Sequence, residues 1–350
     1  MKNQIEVGVL GATGMVGQQF IRLLENHPTL KLTWLGASDR SAGKRYQDAC
    51  EWRLDGPMPT SVRDLIVQEC KPEGAPQLVF SATDASVATE IERSFAEAGH
   101  WVISNSRNHR MEPDVPLLVP EVNADHLRLL ADQQANRGWK GGILTNPNCS
   151  TVGLTMGLAP LRQFGIRRVV VTTMQAVSGA GYPGVPSMDI LGNVVPFIGG
   201  EEEKMQTETQ KILGTLDGGR IAPLPAKVSA HCNRVQVVDG HTVAVSVELE
   251  HNPGLDMVRE AIRAFRGRPQ DLNLPSAPQT PVVLTDEANR PQPRRDAMAG
   301  NGMTVTVGRL RPCEVFDYKF VALVHNTIRG AAGAAILNAE LLIAEGYLGS

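Results

Sequence analysis

The run Glu6-Val-Gly-Val-Leu10, continued by Gly11-Ala-Thr-Gly14-Met-Val-Gly17, sets the architecture of the first half of the chain. An apolar segment of strand length enters a turn with glycine at every third position, and Gly14–Leu24 then shows helical periodicity. Glycines let the backbone turn tightly and approach a pyrophosphate, while a helix N-terminus presents N–H groups to the same anion. The spacing is G-x-x-G-x-x-G rather than G-x-G-x-x-G, and an ordinary strand-to-helix turn uses such glycines too. Their position in the first βα unit selects the dinucleotide reading.

The same alternation continues along the chain. Leu30–Gly36 is strand-like, Leu78–Ser81 and Trp101–Ser104 are short apolar runs, and Ala85–Ala98 between them is helical. Leu117–Val122 and Gly142–Leu144 extend the series. Strands alternating with helices predict a mostly parallel sheet covered on both faces. Beyond Cys149 the pattern changes. Ser150–Phe164 reads as a helix and Arg167–Met174 as a strand, while His241–Glu250, Met303–Leu310 and Tyr318–Val324 alternate apolar and polar residues. Such alternation predicts an α+β region whose sheet has one buried and one wetter face. The Pro-rich Leu274–Pro293 reads as a long loop, and Ile328–Glu345 as an Ala-rich terminal helix.

Composition limits the function classes. The chain has 350 residues, enough for two domains at roughly 100–200 residues each. Lys and Arg total 34 against 37 Asp and Glu, a net charge of −3 with no long basic block, which argues against a nucleic-acid footprint. No apolar run approaches the ~18 residues of a membrane span, and the chain enters a strand soon after Met1 rather than through a signal peptide. The five cysteines, Cys50, Cys70, Cys149, Cys232 and Cys313, are few, odd in number and far apart. That pattern suits neither a disulfide framework nor a zinc site, so a reducing cytoplasm and no metal are expected.

Two further stretches carry chemistry. In Asn146-Pro-Asn-Cys149-Ser-Thr a cysteine follows an apolar strand and opens a helix. The thiolate is the nucleophilic form, and a helix N-terminus stabilises it. Asn148 offers an amide to an oxyanion beside the Cys149 N–H. A buried, inert thiol is the usual fate of cysteine and suits the other four better. The second stretch, Ala37-Ser-Asp-Arg-Ser-Ala-Gly-Lys44, ends the second strand. Asp39 favours the ribose hydroxyl of NAD, whereas Ser38, Arg40, Ser41 and Lys44 favour the 2′-phosphate of NADP, and the majority points to NADP. A thiol beside a nicotinamide suggests thioester reduction to an aldehyde, or its reverse, with an acid/base to manage the proton.

On these residues the chain resembles the aspartate-β-semialdehyde dehydrogenase family, in the form found in archaea, fungi and some bacteria. The resemblance runs nearly end to end through GATGMVG, ASDRSAGK, SNSRNHRM, TNPNCST, TTMQAVSGAGYPGVPS, IGGEEEK, CNRVQVVDGHT and HNTIRGAAGAA. It implies a Rossmann-type NADP(H)-binding domain, residues 1–148 plus 327–350, with an inserted α+β catalytic and dimerisation domain, residues 149–326. It also implies a homodimer or homotetramer and a C-terminal helix packed back on the first domain. Cys149 matches the nucleophile and His241, in Asp-Gly-His-Thr, the acid/base that protonates the hemithioacetal. Arg234 matches the clamp for the substrate α-carboxylate, a role that suits a planar guanidinium. Gln175 matches a glutamine that orients the acyl group, although a polar strand end explains it equally well. Glu201 and Lys204 lie three apart on one helix face and match the amino-group and phosphate ligands, with an exposed ion pair as the plainer alternative. Arg110 matches a phosphate-binding arginine, and its neighbour His109 reads as structural. The implied cofactor contacts are Gly11, Thr13, Gly14, Met15, Val16, Ser38, Arg40, Ser41, Ser81, Ala82, Ser178, Gly179 and Asn326. One departure is Ser81-Ala-Thr-Asp84, where the family more usually has Ser-Ala-Leu-Pro.

The substrate implied is the acyl phosphate of aspartate, reduced to the semialdehyde through a Cys149 thioester. A reductase of the malonyl-CoA or N-acetyl-γ-glutamyl-phosphate kind keeps the chemistry and changes the acyl donor. Neither explains Glu201 together with a phosphate pocket. A non-catalytic NADP sensor shares the glycines but has no reason to retain Cys149, His241, Arg234 and Arg110.

Overall fold

The computed structural model describes residues 4–348, which form two compact units. The first comprises the described residues up to Leu118, Asp125–Asn146 and those from Asn338 onward. The second comprises Val119–Ala124 and Pro147–Leu337. Compared with the division expected from sequence, residues 119–124, 147–148 and 327–337 group with the second unit.

The first unit is built on β1 (Ile5–Leu10), β2 (Leu30–Ala37), β3 (Gln68–Glu69), β4 (Leu78–Ser81), β5 (Trp101–Ser104) and β6 (Gly142–Thr145). They form one sheet in the order β3-β2-β1-β4-β5-β6, with every pairing parallel. This is the strand order of the doubly wound dinucleotide fold, whose ligands bind beyond the carboxyl ends of the strands where the order reverses. Every residue of β4, β5 and β6 is buried, as strands covered on both faces require. Leu10, Val79, Phe95, Val102 and Ile143 fill one core, and Phe20 stacks on Phe80 at 4.8 Å. Each such side chain contributes roughly 1.5–3 kcal/mol on burial. Leu117–Val122 is not a strand. Leu117 makes one bridge to Thr145, and Pro120, which lacks a ladder N–H, then opens the helical turn Pro120–Asn123. The chain end returns to this unit through a His27–Glu340 contact of 2.9 Å and the Tyr347 hydroxyl, which donates to the Leu127 carbonyl at 3.1 Å.

The second unit contains β7 (Ile166–Gln175), β8 (Val194–Val195), β9 (Thr215–Asp217), β10 (Arg220–Ala222), β11 (Lys227–Val235), β12 (His241–Leu249), β13 (Val282–Thr285), β14 (Val305–Pro312) and β15 (Tyr318–Val324). Seven of them form a sheet in the order β13-β14-β15-β12-β7-β11-β8, while β9 and β10 make a separate hairpin. The sheet is mixed, because β7–β11 and β13–β14 run parallel and the other pairs antiparallel. β13 lies inside the Pro-rich stretch read as a loop; four residues between prolines give too short a pattern to recognise. The Cys149–Leu158 helix is buried at every residue after the first. Gly153 and Gly157 bring it onto β15, since a Cβ at either would lie 2.9 Å from Val324 or Phe320. Ala159–Phe164 tightens into a 3₁₀ segment. The other face of the sheet is open, with Arg168, Val170, Met174, Lys227, Ser229 and His231 exposed in alternation with buried residues. The expected terminal helix begins with a π-turn, Ile328–Ala332, before Gly333–Ala344. Among the described residues no helix is long and apolar enough to cross a membrane, and no His/Cys/Asp/Glu group is arranged to hold a metal ion.

Candidate active site

In the first unit, Gly11 adopts φ +73°, and a Cβ there would lie 2.5 Å from the Ala82 carbonyl oxygen. Gly17 lets the helix start pass over the turn, because its Cβ would meet the Gly11 oxygen at 2.3 Å. Gly14 is the N-cap of the Met15–Leu24 helix and has no side chain to cover it. Thr13, Met15 and Val16 flank it. The result is a bare-backbone cradle at the positive end of a helix, which fits a pyrophosphate. The buried Tyr46 supports this loop by donating its hydroxyl to the Ala12 carbonyl at 2.9 Å, a role the sequence did not suggest. Ser38, Arg40 and Ser41 follow the end of β2, beside β1, where this topology holds the adenosine ribose. Ser81 ends β4 with its hydroxyl 2.9 Å from Thr83 Oγ1, and the Ala82 N–H bonds the Leu10 carbonyl at 2.9 Å. Asp84, the departure from the family pattern, caps the Ala85–Ala98 helix by accepting the Ser86 N–H at 2.9 Å. Arg110 is buried in this unit and donates Nη2 to the Asn105 carbonyl at 2.8 Å. His109 beside it bonds Glu112 at 2.7 Å.

The second unit holds the proposed nucleophile. Cys149 is the first residue of its helix, half-buried and outside any disulfide. Asn148 is the N-cap: its Oδ1 accepts the Ser150 and Thr151 N–H groups at 2.9 and 3.2 Å. Its Nδ2 donates to Glu201, and its backbone N–H donates to Glu208 Oε2 at 2.7 Å. Asn148 therefore caps its helix through Oδ1 and meets Glu201 through Nδ2, a group that carries two N–H donors. The π-turn closes over the nucleophile, with Gly330 so near that a Cβ would stand 2.7 Å from that of Cys149. Glu201 also meets Lys204 Nζ at 3.4 Å, so the i,i+3 ion pair exists and lies beside Asn148.

The Ala176 peptide, just past β7, organises the remaining groups. Its N–H donates to His241 Nδ1 at 3.1 Å, and its carbonyl accepts Arg234 Nη1 at 2.8 Å. His241 is fully buried. Burial, then the charges of Arg234 and His325, push its pKa down to about 3. The donor at Nδ1 assigns the ring proton to Nε2, which has no hydrogen-bond partner among the described residues. In this structure His241 is thus a neutral ring that presents its Nε2–H. Arg234 is buried too. Burial lowers its pKa while Cys149 and Glu201 raise it, so these groups lie within electrostatic reach of one another. Gly179 leaves space over both side chains. A Cβ there would lie 2.9 Å from the His241 ring and 3.0 Å from Arg234 Nη1. Gln175, buried at the end of β7, pairs in register with Arg234 and donates to Thr173 Oγ1 at 3.3 Å. Asn326 accepts the Gly240 N–H at 2.8 Å and donates to Ser178 Oγ at 2.8 Å, bracing the residue before His241.

A parallel dinucleotide-type sheet, and a second unit with a cysteine at a capped helix start, a neutral histidine and a buried arginine, have the features of a nicotinamide oxidoreductase. Two family models match, "Semialdehyde dehydrogenase, NAD binding domain" over residues 6–130 and "Semialdehyde dehydrogenase, dimerisation domain" over residues 158–329. The aspartate-semialdehyde dehydrogenase of Methanothermobacter thermautotrophicus is 57% identical over 97% of this chain and 99% of its own. The crystal structure of aspartate semialdehyde dehydrogenase with NADP from Candida albicans superposes with a TM-score of 0.91 at 46% identity, covering 99% of this chain and 100% of that one. Aspartate semialdehyde dehydrogenase II from Vibrio cholerae, complexed with ASA, gives a TM-score of 0.77 at 28% identity over 99% of this chain and 100% of its own. The chain belongs to the aspartate-semialdehyde dehydrogenase family.

Proposed function

We propose that this protein catalyses the NADPH-dependent reductive dephosphorylation of L-β-aspartyl phosphate to L-aspartate 4-semialdehyde, a reversible step in making lysine, threonine, methionine and isoleucine. The observation that carries this reading is the attachment of Arg234 and His241 to the backbone of one residue, Ala176, within electrostatic reach of a cysteine at the start of a capped helix.

The Cys149 thiolate attacks the acyl carbon. A C–S bond forms, the C–O bond to phosphate breaks, and phosphate leaves, held by Arg110 and Lys204. Arg234 binds the α-carboxylate, Glu201 the amino group, and Gln175 orients the acyl group. NADPH, when bound, supplies hydride to the thioester carbonyl carbon. Gly11, Thr13, Gly14, Met15 and Val16 hold its pyrophosphate, Ser38, Arg40 and Ser41 its 2′-phosphate, Ser81 and Ala82 its adenosine side, and Ser178, Gly179 and Asn326 its nicotinamide end. As charge builds on the carbonyl oxygen, His241 Nε2–H and the Cys149 N–H donate to it. One such donor is worth roughly 10²–10³ in rate. The oxyanion expels the Cys149 thiolate and the aldehyde is released; the proton consumed overall ends on phosphate, and His241 need not ionise.

The open sheet face, where Val170 and Met174 are exposed, supports a homodimer, itself able to pair into a tetramer. Five cysteines outside disulfides favour a cytoplasmic enzyme. The reverse assay tests the substrate: aspartate semialdehyde, NADP⁺ and phosphate are expected to give phosphate-dependent NADPH. NADPH formation that requires coenzyme A instead would overturn the reading in favour of an acyl-CoA reductase. Cys149→Ser is expected to lose at least about 10³-fold in kcat while NADPH titration still reports binding.

A further inference from the structure

The N–H of an N-cap residue is usually satisfied, in a capping box, by the side chain three positions into the same helix. Here that position is Thr151, whose hydroxyl turns to Asn148 Oδ1 at 3.5 Å. The acceptor comes from a different helix, as Glu208 Oε2, 2.7 Å from the Asn148 N–H. Glu208 is only 2% exposed. It lies seven residues after Glu201 on the Glu201–Ile212 helix, two turns along the same face, and Glu201 takes the Asn148 side-chain amide. The residue before the nucleophile is thus held by two carboxylates of a second helix and by the first turn of its own.

We propose that Glu208 is a positioning residue for Cys149: it completes the cap of the nucleophile's helix from outside, and its charge restrains the thiolate. This rests on Cys149 being the nucleophile of the proposed reaction. The physical basis is that a helix start stabilises negative charge, and a buried carboxylate at that start competes with the thiolate for the same field. The ionisable groups linked to this end of the helix include Glu201, paired with Lys204, and Arg234 from β11, which interacts with Cys149 and Glu201; Arg234 and His325 in turn act on His241 from β12. Arg329 of the π-turn is bound to Glu121 through both Nη atoms and adds no net charge.

Two substitutions separate acceptor from charge. Glu208→Gln keeps an oxygen for the Asn148 N–H and loses the charge. Glu208→Asp keeps the charge and withdraws it by one methylene. Site-resolved iodoacetamide alkylation of Cys149 at pH 6.5 reads thiolate reactivity without any substrate, so an error in the assigned substrate leaves this readout intact. Alkylation is expected to be several-fold faster in Glu208→Gln and unchanged in Glu208→Asp. In the semialdehyde assay kcat is expected to fall about tenfold in Glu208→Asp, with KM within about threefold of wild type, and to recover in Glu208→Gln. Wild-type kcat in Glu208→Asp, or an equal loss in Glu208→Gln, would overturn the positioning role. Wild-type alkylation in Glu208→Gln would overturn the restraint on the thiolate.

Discussion

Replacing His241 by asparagine tests whether the ring is neutral in the native protein. The native pKa is about 3, whereas an exposed histidine in the unfolded chain titrates near 6.5. Below pH 6.5 the unfolded chain binds a proton that the native state refuses, so stability is lost as pH falls from 6.5 towards 3. With these two values, proton uptake favours unfolding by about 2 kcal/mol at pH 5 and by about 0.2 kcal/mol at pH 7. The substituted amide would offer an oxygen to the Ala176 N–H but takes up no proton in either state. Relative to wild type, His241→Asn should therefore gain about 2 kcal/mol between pH 7 and pH 5, whatever its stability at pH 7. Urea unfolding followed by far-UV circular dichroism at the two pH values measures this. Tryptophan fluorescence would report the first unit, where Trp34, Trp52, Trp101 and Trp139 all lie. Parallel pH dependence in the two proteins would mean that native His241 binds its proton normally, and would refute the neutral-donor role.

Gly179→Ala puts a methyl 2.9 Å from the His241 ring and is expected to lower kcat/KM roughly 100-fold in steady-state assays. Arg40→Ala should raise the KM for NADPH by roughly 10–100-fold, the value of one charge-assisted hydrogen bond, and leave that for NADH nearly unaltered; an equal effect on both cofactors would remove Arg40 from the 2′-phosphate. Val170→Glu, on the open face of β7, should shift the molecule towards monomer in light scattering, and an unchanged mass would exclude that face as the interface.

Where apolar runs end at turn residues, the sequence reveals structure to the residue. Leu78–Ser81, Ala85–Ala98, Trp101–Ser104 and Tyr318–Val324 form the elements expected over the same bounds. Periodicity failed where proline intervened. Pro120 turned an apolar run into a helical turn, and the prolines around β13 hid a strand. The Ala-rich stretch from Ile328 shows no sign of its π-turn, because alanine suits several helical geometries. At the site, Cys149 stands out by its own setting, a thiol after Asn-Pro-Asn at a helix start, whereas His241 and Arg234 are singled out by the family resemblance. At Asn148 an oxyanion donor and an N-cap look alike in sequence, and the structure adds the cap and the contacts to Glu201 and Glu208. Glu208 was overlooked among its acidic neighbours, although its seven-residue spacing from Glu201 was the available sign. Ala176 had no sign at all, because it acts only through its backbone.

That silence at position 176 has a practical side. The guanidinium and the imidazole are aimed by opposite ends of a single residue's backbone, so a rotation of that backbone moves both together. Alanine scanning passes over such a joint, because the residue is already alanine. Any variant selected for a substrate with a differently placed carboxylate would have to retune its hydride-accepting carbonyl at the same stroke. Backbone chemistry, such as an ester in place of the 175–176 or 176–177 amide, is the tool that could address one partner without the other.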